Sequence, residues 1–225
     1  TGLKNLIALI LFLLLFIVLD IQIINSNMKM NDIIKISLSG ILGMGIGDML
    51  FLYALSKIGA NRVAILNCFE PGVIMFLSFI FLPISMYKLN PIQIIGFIIV
   101  MFGVLLMTYE KDKNDLNPKI KKQGILLQIF AIILSCIGIV LIKPILEIHN
   151  DINSLLWITA FRLFSGTIIT WLFIFINNKN NNLFNNLFNK EVIIKILVSS
   201  FLGTFIALSF WIIGYGNAKT TIASI

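Results

Sequence analysis

Apolar windows of about 18–22 residues recur along the whole chain, separated by short polar breaks, and this alternation restricts the fold more than any other feature. Each window can cross roughly 30 Å of hydrocarbon at about 1.5 Å per helical residue. Composition agrees. Hydrophobic residues make up 59% of the chain, charged residues 12%, and the mean hydropathy is +1.01, which is too apolar for a soluble domain of 225 residues. Because the windows repeat, a lone signal peptide does not explain them. The expected class is all-α: a polytopic transmembrane helix bundle.

Lys and Arg outnumber Asp and Glu, 17 to 10. The basic residues sit mainly between apolar windows, as juxtamembrane anchors do, so no nucleic-acid partner is expected. Cys68 and Cys136 fall inside windows and read as small hydrophobes. His149 stands alone in the polar break 147–151, without a second ligand at metal spacing. Neither a metal nor a cofactor is expected.

The windows predict spans near 3–19, 34–57, 61–83, 91–109, 124–146, 153–176 and 192–215, with an eighth beginning at 218. Asn25-Ser26-Asn27, Asn90-Pro91 and the charged stretch from Glu110 to Gln123 supply the breaks, and the Asn-rich run Asn177 to Asn189 reads as a variable loop. Thr1 stands where a methionine would begin a protein and Ile225 ends inside an apolar run, so both ends read as cut.

An internal repeat is the most specific signal. Laid over one another, residues 32–43 and 192–203 agree at seven of twelve positions, among them Lys35/Lys195, Ser39/Ser199 and Gly43/Gly203. Ser39, Gly43 and Gly47 are spaced by four, as are Ser199, Gly203 and Ala207. Such spacing lines small side chains along one helix face, where backbones approach closely. The copy is the seventh span, five places after the second. An odd number makes the copies enter the membrane from opposite sides, as in transporters built from inverted repeats.

The stretch Gly47 to Glu110 carries Tyr53-Ala54-Leu55, Ala60-Asn61-Arg62-Val63-Ala64, Glu70-Pro71, Leu89-Asn90-Pro91 followed by Ile92-Gln93-Ile94-Ile95-Gly96, and Gly103-Val104-Leu105-Leu106. In this order and spacing it resembles the EamA type of the drug/metabolite transporter superfamily. The resemblance implies two inverted five-helix repeats, here 1–112 without its first helix and 124–225 without its last one to two. The family's Gly-Glu pair before the Leu-Asn-Pro turn is replaced by Met86-Tyr87.

Charges inside apolar windows cost about 2.5–3.5 kcal/mol on insertion scales and invite a functional reading. Asp48 and Glu70 stand on consecutive helices, each eleven residues from Gly59, hence at one depth near the midplane. Two such carboxylates can share a proton; the bland alternative is burial against backbone or basic partners. Lys143 and Arg162 read equally as interface snorkellers or cavity contacts. Asn67, Tyr53, Trp211 and Tyr215 complete the candidate solute site, with packing or belt roles the alternative for the aromatics. Pro71, Gly72 and Pro144 are candidate hinges, since proline breaks the helical ladder.

Gly45-Ile46-Gly47-Asp48 also spells the GxGD pattern of intramembrane aspartyl proteases. That chemistry needs a second aspartate at the same depth, and every other Asp falls at a helix end or loop. The expected function is secondary transport of a small metabolite, amino acid or drug-like solute by alternating access, with proton coupling open. The alternatives are the protease and a non-transporting scaffold subunit. Expected partners are the solute and membrane lipid, with a homodimer left open, and the expected location is the cell membrane.

Overall fold

The computed structural model describes residues 2–22, 28–83, 91–108, 117–177 and 190–218. The described residues are all-α and contain no strand. Seven helices follow in order: α1 Gly2–Val18, α2 Met30–Ile58, α3 Ala60–Phe81, α4 Pro91–Thr108, α5 Pro118–Ile148, α6 Ile152–Asn177, and α7, built of Lys190–Ser200, Phe201–Ile206 and Ala207–Asn217. Five of them, α2, α3, α5, α6 and α7, are long and apolar enough to cross a membrane. Gly2–Val18 and the stretch Ile94–Gly103 of α4 are shorter apolar helices. The expected eighth span, Met86-Tyr87, positions 110–116 and the Asn-rich run 178–189 lie outside the described residues.

Local chemistry explains the helix ends. Between α2 and α3, Gly59 adopts φ +80°, a conformation open to glycine at little cost, and its N–H donates to the Leu55 carbonyl at 3.0 Å. At the start of α5 the Asn117 side chain accepts the Lys119 N–H at 3.0 Å, with Pro118 at the first helical position. At the start of α6 the Asp151 carboxylate accepts the Ser154 N–H at 2.9 Å.

Midway, α2 and α7 both change to π-helical geometry, over Ile41–Gly47 and Phe201–Ile206. The amide of Asp48 donates to the Gly43 carbonyl and that of Ala207 to the Leu202 carbonyl, each five residues back. The two π stretches occupy corresponding places in the repeated segments. π turns are rare and concentrate at functional sites.

Small residues set the packing of α2. A Cβ on Gly40 would collide with the Arg162 carbonyl of α6, and one on Gly166 would come within 2.9 Å of the Gly40 carbonyl. The Ser39 hydroxyl donates to the Gly138 carbonyl of α5 at 2.6 Å, and a Cβ on Gly47 would lie 2.9 Å from Ser135 Oγ. Gly40 thus faces Arg162 while Gly45 faces Gly166 and Ile169, so α2 and α6 run parallel. Gly216 of α7 meets Leu155 and Trp211 meets Arg162, so α7 and α6 run antiparallel. It follows that α2 and α7 run in opposite directions.

The second small-residue stripe departs from expectation. Ser199, Gly203 and Ala207 are exposed, and a Cβ on Gly203 would meet nothing within 4 Å. Instead Ser200 and Thr204 are buried, and Phe205 contacts Phe12 of α1 at 4.8 Å between ring centroids. The reason is geometric: α7 docks on α1 with a neighbouring face, which leaves Gly203 and Ala207 on an open cavity.

Candidate functional site

A cavity of about 380 Å³ opens between α1, α2, α3, α5, α6 and α7, within the size range of small-molecule sites. Its polar lining comes from separate helices: Lys4 and Asn5 from α1, Asp48 from α2, Asn67 and Glu70 from α3, Gln128 and Ser135 from α5, Arg162 from α6, Thr204 and Trp211 from α7. Gly43 and Met44 of the first π stretch and Gly203 of the second also reach it, as does Ala207 just beyond.

Each placement follows from its local backbone. Asp48 is the first residue after the π stretch of α2. Glu70 opens the second segment of α3, after a break at Cys68 and Phe69, and Pro71 sits in that segment's first turn, where a missing N–H costs nothing. Pro71 therefore starts a helix rather than kinking one. A carboxylate at a half-helix N-terminus is favoured by the exposed amides there. Gly72 has open space where a Cβ would be, and α5 runs on through Pro144 without interruption.

The hydrogen-bond pattern is incomplete in one place. Gln128 Nε2 donates to Asn67 Oδ1 at 2.6 Å, but Gln128 Oε1 has no partner among the described residues. Asn5 Nδ2, Thr204 Oγ1, and Nε and Nη1 of Arg162 are likewise without one. All four residues are buried, and all line the cavity. The Arg162 guanidinium lies 5.4 Å from the Trp211 ring centroid, a cation–π contact. Lys4 and Arg162 are the side-chain cations whose fields reach Asp48. Among the described residues no carboxylate pairs with Arg162 at ion-pair distance.

Asp48, Glu70, Asn67, Arg162 and Trp211 are thus brought together, whereas three other candidates are not. Tyr53 is 56% exposed on the outer face of α2, with Lys57 Nζ 4.9 Å from its ring centroid. Lys143 neither snorkels nor lines the cavity. It is buried, and its ammonium donates to the Tyr215 carbonyl at 2.7 Å and the Ala218 carbonyl at 2.6 Å, with Glu147 Oε1 at 3.1 Å. Tyr215 is buried behind Trp211, the rings 4.6 Å apart. Among the described residues, the acids that line the cavity are Asp48 and Glu70, so the aspartate pair required by GxGD chemistry is not found there.

Lys4, Asn5, Gln128, Ser135 and Thr204 escaped the sequence reading. Gln128 carried a usable signal, as an uncharged polar residue one turn inside an apolar window; Lys4 and Asn5 resemble interface anchors at the head of theirs.

Residues 1–109 match the sequence model of the EamA-like transporter family. With its apolar helices, the match makes the chain an integral membrane protein. No curated protein and no solved structure matches the chain.

Proposed function

From the match of residues 1–109 to the EamA-like transporter family, we propose that the chain is a secondary transporter of a small metabolite, amino acid or drug-like solute. The solute occupies the cavity between α1, α2, α3, α5, α6 and α7, and alternating access exposes it to one side and then the other. One observation carries the reading: a cavity within an apolar bundle, lined from six helices and bearing two carboxylates. Support for two inverted repeats, 1–112 and 124–225, comes from the opposite directions of α2 and α7 and from their π stretches at corresponding places. Asp48 and Glu70, two carboxylates on one cavity, are the proposed proton site. The cell membrane is the proposed location.

The test is uptake and efflux of a labelled panel (amino acids, organic acids, lipophilic cations) by the full-length protein in sealed vesicles, with and without an imposed pH gradient. Saturable flux of at least one solute, driven by the gradient, is expected. Absence of flux across the panel would return the chain to the scaffold alternative.

A further inference from the structure

We propose that the solute is held by an anionic group, a carboxylate or a phosphate, docked on the Arg162 guanidinium with Asn5 and Thr204 as neutral donors. This rests on the transport reading and specifies its substrate class.

Burying a guanidinium costs several kcal/mol unless its N–H groups are met, so native proteins rarely leave one incomplete. Arg162 is 2% exposed and retains unpaired Nε and Nη1. The same cavity holds the unpaired amide nitrogen of Asn5, 1% exposed, and the unpaired hydroxyl of Thr204, 2% exposed. Arginine, amide and hydroxyl on three helices therefore all offer protons to one small volume. Lys4 adds a second positive charge to its lining. An anion satisfies this set. The Trp211 face beside Arg162 holds the guanidinium in place and leaves its unpaired N–H groups for the ligand. Unpaired Gln128 Oε1, with Asp48 and Glu70, gives the lining an accepting character as well, suited to a donor elsewhere on the same solute.

Equilibrium binding tests this separately from flux. The unfolding temperature of the purified full-length protein is followed against rising concentrations of isocaproate and leucine as carboxylates, inorganic phosphate and glycerol phosphate as phosphates, and isoamylamine, which is leucine without its carboxylate. Saturable stabilisation by one anion class and none by isoamylamine is expected, and the class that acts distinguishes carboxylate from phosphate. Affinity should fall roughly tenfold or more in Arg162→Gln, with partial retention in Arg162→Lys. Should Arg162→Gln fail to fold, the near-isosteric Asn5→Asp decides, because it replaces a donor by a repelling carboxylate and should abolish anion binding. Stabilisation by isoamylamine equal to that by leucine, no response to any anion, or wild-type affinity in Asn5→Asp would overturn the proposal. Anion binding without flux would keep it and sink the transport reading; cation flux untouched by Asn5→Asp would do the reverse.

Discussion

Lys143 Nζ lies 2.7 Å from the carbonyl oxygen of Tyr215, joining α5 to the last turn of α7 through an ammonium that is 1% exposed. With the Ala218 carbonyl and Glu147 it has three acceptors for three protons. The carbonyls at a helix C-terminus have no partners within their own helix and favour a cation.

Lys143→Met should therefore lower stability by about 3 kcal/mol, since it strands two carbonyls and a carboxylate. Glu147→Gln, at a side chain 35% exposed, should cost under about 1 kcal/mol. Thermal unfolding of the two variants in one detergent checks the order; equal losses would mean that the carboxylate, and not the helix end, is the partner that matters.

Gly40 and Gly166 should tolerate no side chain. Alanine at either site meets backbone of the facing helix, so α2 and α6 must separate, at a cost of about 1–3 kcal/mol or more. Gly72→Ala and Gly203→Ala meet nothing within 4 Å and should be neutral or slightly stabilising. Yield and unfolding temperature of the four variants read the contrast directly.

Transport should depend on pH through Asp48 and Glu70. Asp48→Asn and Glu70→Gln mimic the protonated state permanently, so each should flatten the pH profile of flux while leaving the unfolding temperature within a few degrees. Wild-type profiles in both variants would remove the pair from the coupling step.

Tyr53→Ala should leave flux within about twofold of wild type, because the ring lies outside the cavity and an exposed Lys57 contact is worth only about 0.5–1 kcal/mol. Trp211→Ala should depress flux strongly, since it removes the surface on which Arg162 rests. Similar losses in both would place the solute path on the outer face of α2.

Asp151 supplies a stability effect outside the membrane spans. Partial burial pushes its carboxyl up, but bonds from the Ser154 amide and hydroxyl and the nearby His149 pull it further down, leaving it below the usual aspartate range. A lowered folded value means that the cap contributes fully above the ordinary aspartate pKa and is lost as pH falls through the lowered one. Asp151→Ala should cost about 1 kcal/mol near neutral pH and nothing in strong acid, read as unfolding temperature against pH.

The helices were legible because hydrocarbon thickness imposes a length that survives in the sequence as apolar windows. Gly59 was legible as a turn, and equal offsets from it pointed to Asp48 and Glu70, which line one cavity. Direction around each helix was not legible. Helices apolar on every side carry little amphipathic signal, so nothing in the sequence told Tyr53, which points outward, from Trp211, which points inward. For Lys143 the missing information was the end of α7, some seventy residues away, which only the fold brings beside it. The π stretches were equally hidden, since such runs are read by default as ordinary helix, and the face that α7 turns toward α1, which leaves Gly203 on the cavity, was set by packing that the repeat did not encode.

That winding has a genetic consequence. A π turn holds one residue more than the α turn it replaces, and each residue of an α-helix turns the chain by about 100°. Losing one codon in Ile41–Gly47 would therefore let the turn relax to α geometry while the residues beyond keep their faces, Asp48 toward the cavity and Ala54 and Ile58 buried. The same loss in the α turns that follow has no spare residue to absorb it and swings all that comes after by about 100°. Every functional group there would still be present, aimed at the wrong solvent; the π stretch is the one place in this helix where an in-frame deletion is the milder class of variant.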